Sequence, residues 1–294
     1  MLNRLEKCVG LKATQLAHIG QLEQLCNQFE NLQMKLNWEM LQRRPADQIN
    51  DFLFYADDIP VGYLALYGFN NSESEVTAMT HPAYRRQGIF GRLLAAAQQE
   101  LAKRGTLDFL FICERASVSG VGVMQAIKAG YDFSEFKMSL KHPPTAIIRP
   151  EVQLRPAGQA DLPVMVQLDR LCFDVSGNAS QTYFKDILTD PNRRAWIVSL
   201  DEKTIGKIVT LTDGTEAYIS GFCLLPEYQN KGYGTVILTN TVTQLATQGY
   251  SDITLEVATD NNGALSLYKR CGFEVFTVFD YYRLPVQPTQ QQGI

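Results

Sequence analysis

Residues 51–66 read DFLFYADDIPVGYLAL, and residues 195–210 read AWIVSLDEKTIGKIVT. The stretches lie 144 positions apart and share one pattern, two β-rich runs around a short polar turn. Working outward at that offset, Gly62 falls on Gly206, Pro82 on Pro226, Tyr84 on Tyr228 and Gly88 on Gly232. ELAKRG at 100–105 falls on QLATQG at 244–249, and Asp108 on Asp252. Gly130-Tyr131 lies 142 residues before Gly272-Phe273, a small drift that a loop change accommodates. A constant offset from Asp51 to Asp108 points to two copies of one fold. The segment His142–Pro150, HPPTAIIRP, holds three of the twelve prolines and reads as an extended linker. The expected units are therefore residues 1–142 and 151–294, each of ordinary domain size.

Within the second copy, VQLRP reads as a strand, and DLPVMVQLDRLCF as a helix with Leu162, Met165, Leu168 and Leu171 at helical spacing. AWIVSL and KIVTL form a hairpin around DEKTIG. A third strand, AYISGFCL, runs into PEYQNKGYG, and VILTNTVTQLATQ is a helix stopped by Gly249. SDITLEV is a strand, ALSLYKRC a helix, and FEVFTVFDYYRL supplies the closing strands. Such alternation defines a mixed α/β unit and excludes a helix bundle.

Composition narrows the function classes. Net charge is −4 with no run of like charge, which argues against a broad nucleic-acid-binding face. No apolar run approaches the roughly 20 residues of a membrane-spanning helix, and MLNRLEKCVG lacks the features of a signal peptide. A cytoplasmic location is expected. The six cysteines are scattered without a CxxC pair, and only three histidines are present, so no metal site is expected. Cys223 is expected to be a buried thiol without an activating histidine. His81, Trp38 and Trp196 are read as loop and packing residues.

The sharpest motif is Gln229-Asn230-Lys231-Gly232-Tyr233-Gly234, between a predicted strand and a predicted helix. The first N–H groups of a helix lack intrahelical partners, and the helix dipole favours an anion there. Glycines let the backbone approach a phosphate closely, and Lys231 adds a cation. A nicotinamide-binding Rossmann loop fits less well, because the first glycine of GxGxxG is missing. Downstream, Asn261 precedes the helix ending at Cys271-Gly272-Phe273, as an N-cap should.

Both motifs resemble those of the GNAT acyltransferase superfamily, whose pattern is Gln/Arg-x-x-Gly-x-Gly/Ala after a strand, and the resemblance covers nearly the whole chain. It implies two tandem GNAT-like domains, each a mostly antiparallel mixed sheet flanked by helices. It also implies that the loop binds the pyrophosphate of acetyl-CoA through backbone N–H groups. By the same likeness, Phe222 and Leu224 offer backbone groups to the pantetheine and the acetyl carbonyl. Asn-x-x-Ala-x-x-x-Tyr-x-x-x-Gly-Phe, from Asn261 to Phe273, looks like the family's final cofactor segment. Asn261 would bond the pantetheine, and Tyr268 would protonate the leaving thiolate, as a phenol protonated at neutral pH can. Glu216, at the start of the strand leading to the loop, is the candidate base, with Glu256 on the neighbouring strand as the alternative.

The first copy departs from the pattern. Arg85 and Gly88 match it, but Phe90 stands where Gly or Ala is usual. Counting back from Gly130 puts Ala126 opposite Tyr268 and Ser119 opposite Asn261, so this copy is expected to be degenerate. The expected activity is acetyl transfer from acetyl-CoA to a primary amine of a small molecule. A non-catalytic CoA-binding sensor or partner protein is the alternative. A protein N-terminus, a lysine, an aminoglycoside and a polyamine stay open as acceptors.

Overall fold

The hairpins at the heart of the repeat close on two-residue turns. Asp57-Asp58 and Asp201-Glu202 all take positive φ (47°, 66°, 46° and 67°), the turn whose twist matches that of paired strands. The expected loop DEKTIG is thus shortened to two residues, and its last four join a strand. The computed structural model describes residues 3–44, 47–68, 72–173, 175 and 177–287.

The first unit comprises Met1–Ser134 and Thr277–Ile294. It contains β1 (Asn3–Val9), α1 (Ala13–Glu30), α2 (Trp38–Gln42), β2 (Ile49–Ala56), β3 (Ile59–Tyr67), β4 (Glu73–Thr80), α3 (Ile89–Arg104), β5 (Asp108–Glu114) and α4 (Val118–Ala126). Strands β1 to β5 lie in sequence order, antiparallel except for the β4–β5 pair. Successive side chains of a strand face opposite sides, and both faces here are covered. Phe52, Phe54, Leu64 and Leu66 pack beneath Leu93, Ala97 and Leu101 of α3. Leu53, Tyr55, Tyr63 and Tyr67 pack beneath Ile19, Leu22 and Cys26 of α1. This double burial explains why residues 51–66 are nearly all apolar.

The second unit comprises Glu135–Phe276. It contains the end of β6 (Gly130–Leu140), then β7 (Val152–Pro156), α5 (Leu162–Phe173), α6 (Gly177–Thr189), β8 (Arg193–Leu200), β9 (Lys203–Asp213), β10 (Glu216–Leu224), α7 (Tyr233–Thr247), β11 (Asp252–Ala258) and α8 (Asn262–Arg270). Helix α7 buries Val236, Ile237, Leu238, Val242 and Leu245 on one face of the sheet. Met165 of α5 with Phe184 and Ile187 of α6 cover the other. Leu171, read as part of the apolar stripe of α5, is instead 48 % exposed.

The first unit is not contiguous in the chain, because the C-terminal segment from Thr277 returns to it. The last strand, β12 (Phe273–Pro285), starts in the second unit and pairs antiparallel with β5 of the first through Phe279–Pro285. Conversely, β6 starts in the first unit and pairs antiparallel with β11 of the second through Glu135–Ser139. The two copies exchange closing strands, so the boundaries expected at 142 and 151 do not delimit the compact units. The proline-rich segment lies inside the second unit: Ile147 N–H donates to Asn240 Oδ1 at 3.1 Å, and Asn240 Nδ2 donates back to Ile147 O at 3.1 Å. It is a strap along α7.

The repeated glycine of β3 and β9 marks a close approach. A β-carbon on Gly62 would lie 2.6 Å from Ile89 Cγ2, and one on Gly206 would overlap the carbonyl oxygen of Cys223. Backbone cannot yield as a flexible side-chain tip does. Gly206→Ala is therefore expected to cost about 1–3 kcal/mol, read as a lower urea midpoint. Gly91→Ala, inside α3 with open space around its β-carbon, should not lower the midpoint and should raise it slightly.

Candidate active site

The two loops fold alike. In the second unit Asn230 has φ 59° and Gly232 φ 82°, immediately before α7. In the first, Arg86 has φ 64° and Gly88 φ 77°, immediately before α3. Alternating left-handed residues turn successive N–H groups to one side, which makes an anion-binding concavity at a helix N-terminus. A β-carbon at Gly88 or Gly232 would meet nothing within 4 Å, so both concavities are open.

The residue opening each motif braces the loop. Gln229 Nε2 donates to Leu224 O at 2.9 Å, and Arg85 Nε donates to Thr80 O at 3.1 Å. These equivalent tethers join the loop to the end of the preceding strand. Arg85 also pairs with Glu30, and its guanidinium lies over the Phe29 ring. Lys231 is exposed, its ammonium 5.7 Å from the Tyr228 ring centroid, and Tyr233 has the Arg149 guanidinium 5.3 Å from its own.

Before the loop, β10 is bulged. Its register against β9 slips between Ser220 and Cys223, and Gly221 takes φ 53°. Phe222 therefore falls outside the ladder. Beside the bulge, β10 and β11 are paired in parallel only from Glu216 to Ile219, and the gap opens beyond. A cluster that sequence reasoning missed holds the bulge in place. Lys207, 1 % exposed, donates to Gly221 O at 2.9 Å and pairs with Asp169 at 2.9 Å. Asp169 also accepts from Ser180 Oγ at 2.7 Å. The sequence signal was Lys207 in the middle of the otherwise apolar run 205–209, IGKIV.

Cys172 on α5 is part of the same neighbourhood. Its thiol donates to Leu224 O at 3.6 Å. A hydrogen bond from Cys223 and the Lys207 charge bring it down to about 7, whereas Cys223 is pushed well up. Among the cysteines only Cys172 is not fully buried. It should be the first thiol alkylated by iodoacetamide at pH 8, read by peptide mass, because the thiolate is the nucleophile. Equal labelling of Cys8 or Cys271 would contradict this.

Helix α8 is capped by Asn261, whose side chain accepts from Ala264 N at 3.1 Å. Leu267 packs beside the loop, its Cδ2 3.1 Å from a β-carbon placed on Gly234. Tyr268 is 8 % exposed, its ring edge-on to Phe273 at 6.3 Å. Burial raises its phenol to about 12. Its hydroxyl donates to no described residue and is not among the fully buried polar atoms, so the ring is packed while the oxygen keeps some exposure.

Glu216 does not join this group. It is exposed at the opposite end of β10, eight residues before Leu224, so about 26 Å away at the rise of an extended strand. Glu256 lies one residue past the last β10–β11 pair and accepts from Tyr218 Oη at 3.4 Å. It is the carboxylate at the gap.

The first unit corrects the residue matching. Ser117 caps α4, accepting from Gly120 N at 3.0 Å. It, not Ser119, is the counterpart of Asn261, at the full offset of 144. Met124, 5 % exposed, and not Ala126, therefore stands where Tyr268 does. The two-residue drift falls after the helix, in the turn to the next strand. His81 Nδ1 accepts from Ala83 N at 3.2 Å, capping a short turn. Trp38 and Trp196 pack on the cores of their own units.

This unit also contains a cavity of about 660 Å³. The β4–β5 ladder ends at Val76 and Phe111, and the cavity occupies the gap beyond. It runs from Arg86, Gly88 and Met124 through to Cys26, Leu32 and Met34. Among the described residues, no helix is long and apolar enough to cross a membrane, and no group of three or more His, Cys, Asp or Glu side chains could hold a metal ion.

Comparison with known proteins agrees with this architecture. The chain is 26 % identical over 145 residues to a probable N-acetyltransferase, san, of Drosophila melanogaster, across 48 % of this chain and 77 % of that protein. A GCN5-related N-acetyltransferase from Sphaerobacter thermophilus has the same fold, with a TM-score of 0.80 at 15 % identity, over 97 % of this chain and 96 % of that one. A tandem GNAT protein from the clavulanic acid biosynthesis pathway superposes with a TM-score of 0.75 at 16 % identity, over 98 % of this chain and all of that one. The acetyltransferase (GNAT) family matches residues 18–119 and 162–273, one stretch in each copy. This protein belongs to the GNAT acetyltransferase family, as a tandem member.

Proposed function

We propose that the chain transfers an acetyl group from acetyl-CoA to the primary amine of a small molecule, with the chemistry in the second unit. The observation that carries this reading is the Tyr268 phenol, on the helix whose Leu267 packs against Gly234, two residues past the left-handed Gly232. The residues fit the cofactor: the turn is open at Gly232, and its N–H groups precede α7. Acetyl-CoA, when bound, supplies the activated acyl carbonyl and a thiolate leaving group.

The chain's own residues do the rest. Backbone N–H groups of Asn230 to Gly234 hold the pyrophosphate, with Lys231 adding positive charge. Backbone groups at Phe222 and Leu224 face the pantetheine arm, and an N–H at the bulge stabilises the developing oxyanion. The Leu224 carbonyl is already engaged by Gln229 and Cys172, so its N–H is the free side. The oxygen of Asn261 is committed to its cap, which leaves its NH₂ for the pantetheine. Glu256 takes the proton from the attacking amine, directly or through water. The C–N bond forms, the C–S bond breaks, and Tyr268 gives its proton to the thiolate. Burial keeps Tyr268 protonated at neutral pH.

A second reading has its own support. The first unit has an open cleft but Met124 in place of the phenol, as a unit that binds CoA without catalysis would. Calorimetric titration of acetyl-CoA, followed by a screen of small amines for release of free CoA thiol, tests the function. Binding with amine-dependent thiol release supports it. Binding without release from any amine would favour the sensor reading, and no binding at millimolar acetyl-CoA would overturn both.

A further inference from the structure

We infer that the cavity of the first unit is a binding site for a CoA thioester carrying a medium-length fatty acyl chain. This rests on the reading above that the chain binds CoA thioesters, and adds the class of acyl group.

The cavity has two chemically different ends. At one end stand the left-handed residues Arg86 and Gly88 and the N-terminus of α3, suited to phosphate. Arg86 is exposed there and has no carboxylate partner among the described residues. The other end lies on the α1 side of the sheet and is closed by the chain following α1. Thr77 Oγ1 donates to Lys35 O at 2.9 Å, and Gln33 N donates to Glu114 Oε2 at 2.6 Å. These bonds fasten residues 33–35 across the mouth of the gap, to β4 on one side and β5 on the other.

What lines that closed end is apolar. Cys26, Leu32, Met34, Met79 and Phe279 supply its wall. Its polar groups are already engaged: Lys35 Nζ donates to Tyr281 Oη at 2.8 Å, and Glu114 Oε1 accepts from Thr277 Oγ1 at 2.6 Å. An acetyl group would leave this wall uncovered, whereas an extended alkyl chain would cover it. Methionines adapt to such flexible ligands. Met124 extends the apolar lining at the position where Tyr268 puts a hydroxyl in the other copy. A polyanionic head and an apolar tail joined through a narrow gap describe a fatty acyl-CoA.

The test is a chain-length series by calorimetry on the full chain, using acetyl-, butanoyl-, hexanoyl- and octanoyl-CoA. Each methylene removed from water strengthens binding about fourfold. With half of the added methylenes buried, octanoyl-CoA should bind about sixtyfold more tightly than acetyl-CoA. Met34→Trp and, separately, Leu32→Trp fill the closed end and should bring octanoyl-CoA back to the acetyl-CoA value. Measurable acetyl-CoA binding with a flat series would overturn this inference and leave the cofactor reading standing. A gain that survives both substitutions would put the alkyl chain elsewhere and overturn it too. Absence of binding by every thioester would overturn the cofactor reading and this inference together.

Discussion

Asp169→Ala should be the most destabilising single substitution in the second unit, at about 3–5 kcal/mol. Among the described residues the carboxylate is the one charged partner of Lys207, at 2.9 Å, and Lys207 is 1 % exposed. Removing it strands an ammonium between the Phe173 and Phe184 rings, 5.2 and 5.0 Å from their centroids, with the Gly221 carbonyl as its remaining acceptor. Such a charge cannot be rehydrated without opening the core. Urea unfolding of the two proteins measures the loss. Replacing both partners with apolar groups, Asp169→Leu with Lys207→Met, should recover most of it, because a buried pair is roughly balanced by its own desolvation. Turnover should stay low in the double variant, since Gly221 would lose the donor that fixes the bulge. A double variant with full turnover would mean that the bulge needs no such brace.

Tyr268→Phe should lower kcat about a hundredfold, the lower range for loss of a general acid, with little change in acetyl-CoA affinity. The substitution removes one oxygen from a ring that is otherwise packed against Phe273. No hydrogen bond to a described residue is lost, so stability should hardly change. The pH behaviour follows from burial. The folded phenol titrates at about 12, above the ordinary value of 10. Any stability it lends is complete below 10 and is lost as pH rises towards 12, while at pH 7 to 9 it stays a proton donor. A decline in rate on the alkaline side below pH 10 therefore belongs to another group. An unchanged kcat in Tyr268→Phe would remove it as the acid.

Much of this was legible in the sequence because the repeat is regular where backbone geometry is demanding. Gly88 and Gly232 match because only glycine takes that turn cheaply, and Gly62 and Gly206 match because another atom stands where a β-carbon would go. The exchange of β6 and β12 was not legible. Alternation in FEVFTVFDYYRL tells which side chains face a core, not which sheet the strand joins. The prolines of 142–150 marked irregular chain correctly, but an irregular segment can be a strap as well as a linker.

The site was read unevenly for similar reasons. The Asn230–Gly234 loop and the α8 cap are local, so spacing found them. The Lys207–Asp169–Cys172 cluster joins positions far apart in sequence, and no spacing rule reaches it. Matching Tyr268 to the first copy failed by two residues because the count began from Gly130, beyond a turn that is two residues longer in the first copy. Counting from the helix caps gives Met124. Glu216 was misplaced by its strand: the start of a nine-residue strand is remote from the loop at its end.

Placing the chemistry in the second unit is the central claim, and comparing acetyl transfer by Gly232→Glu and Gly88→Glu, measured side by side, tests it most directly. Each substitution puts a side chain and a negative charge into one left-handed turn and leaves the other copy untouched. Gly232→Glu should abolish amine-dependent release of CoA, while Gly88→Glu should retain it. The opposite result, with Gly88→Glu inactive and Gly232→Glu active, would move the reaction to the first unit and contradict the roles given to Tyr268 and Glu256.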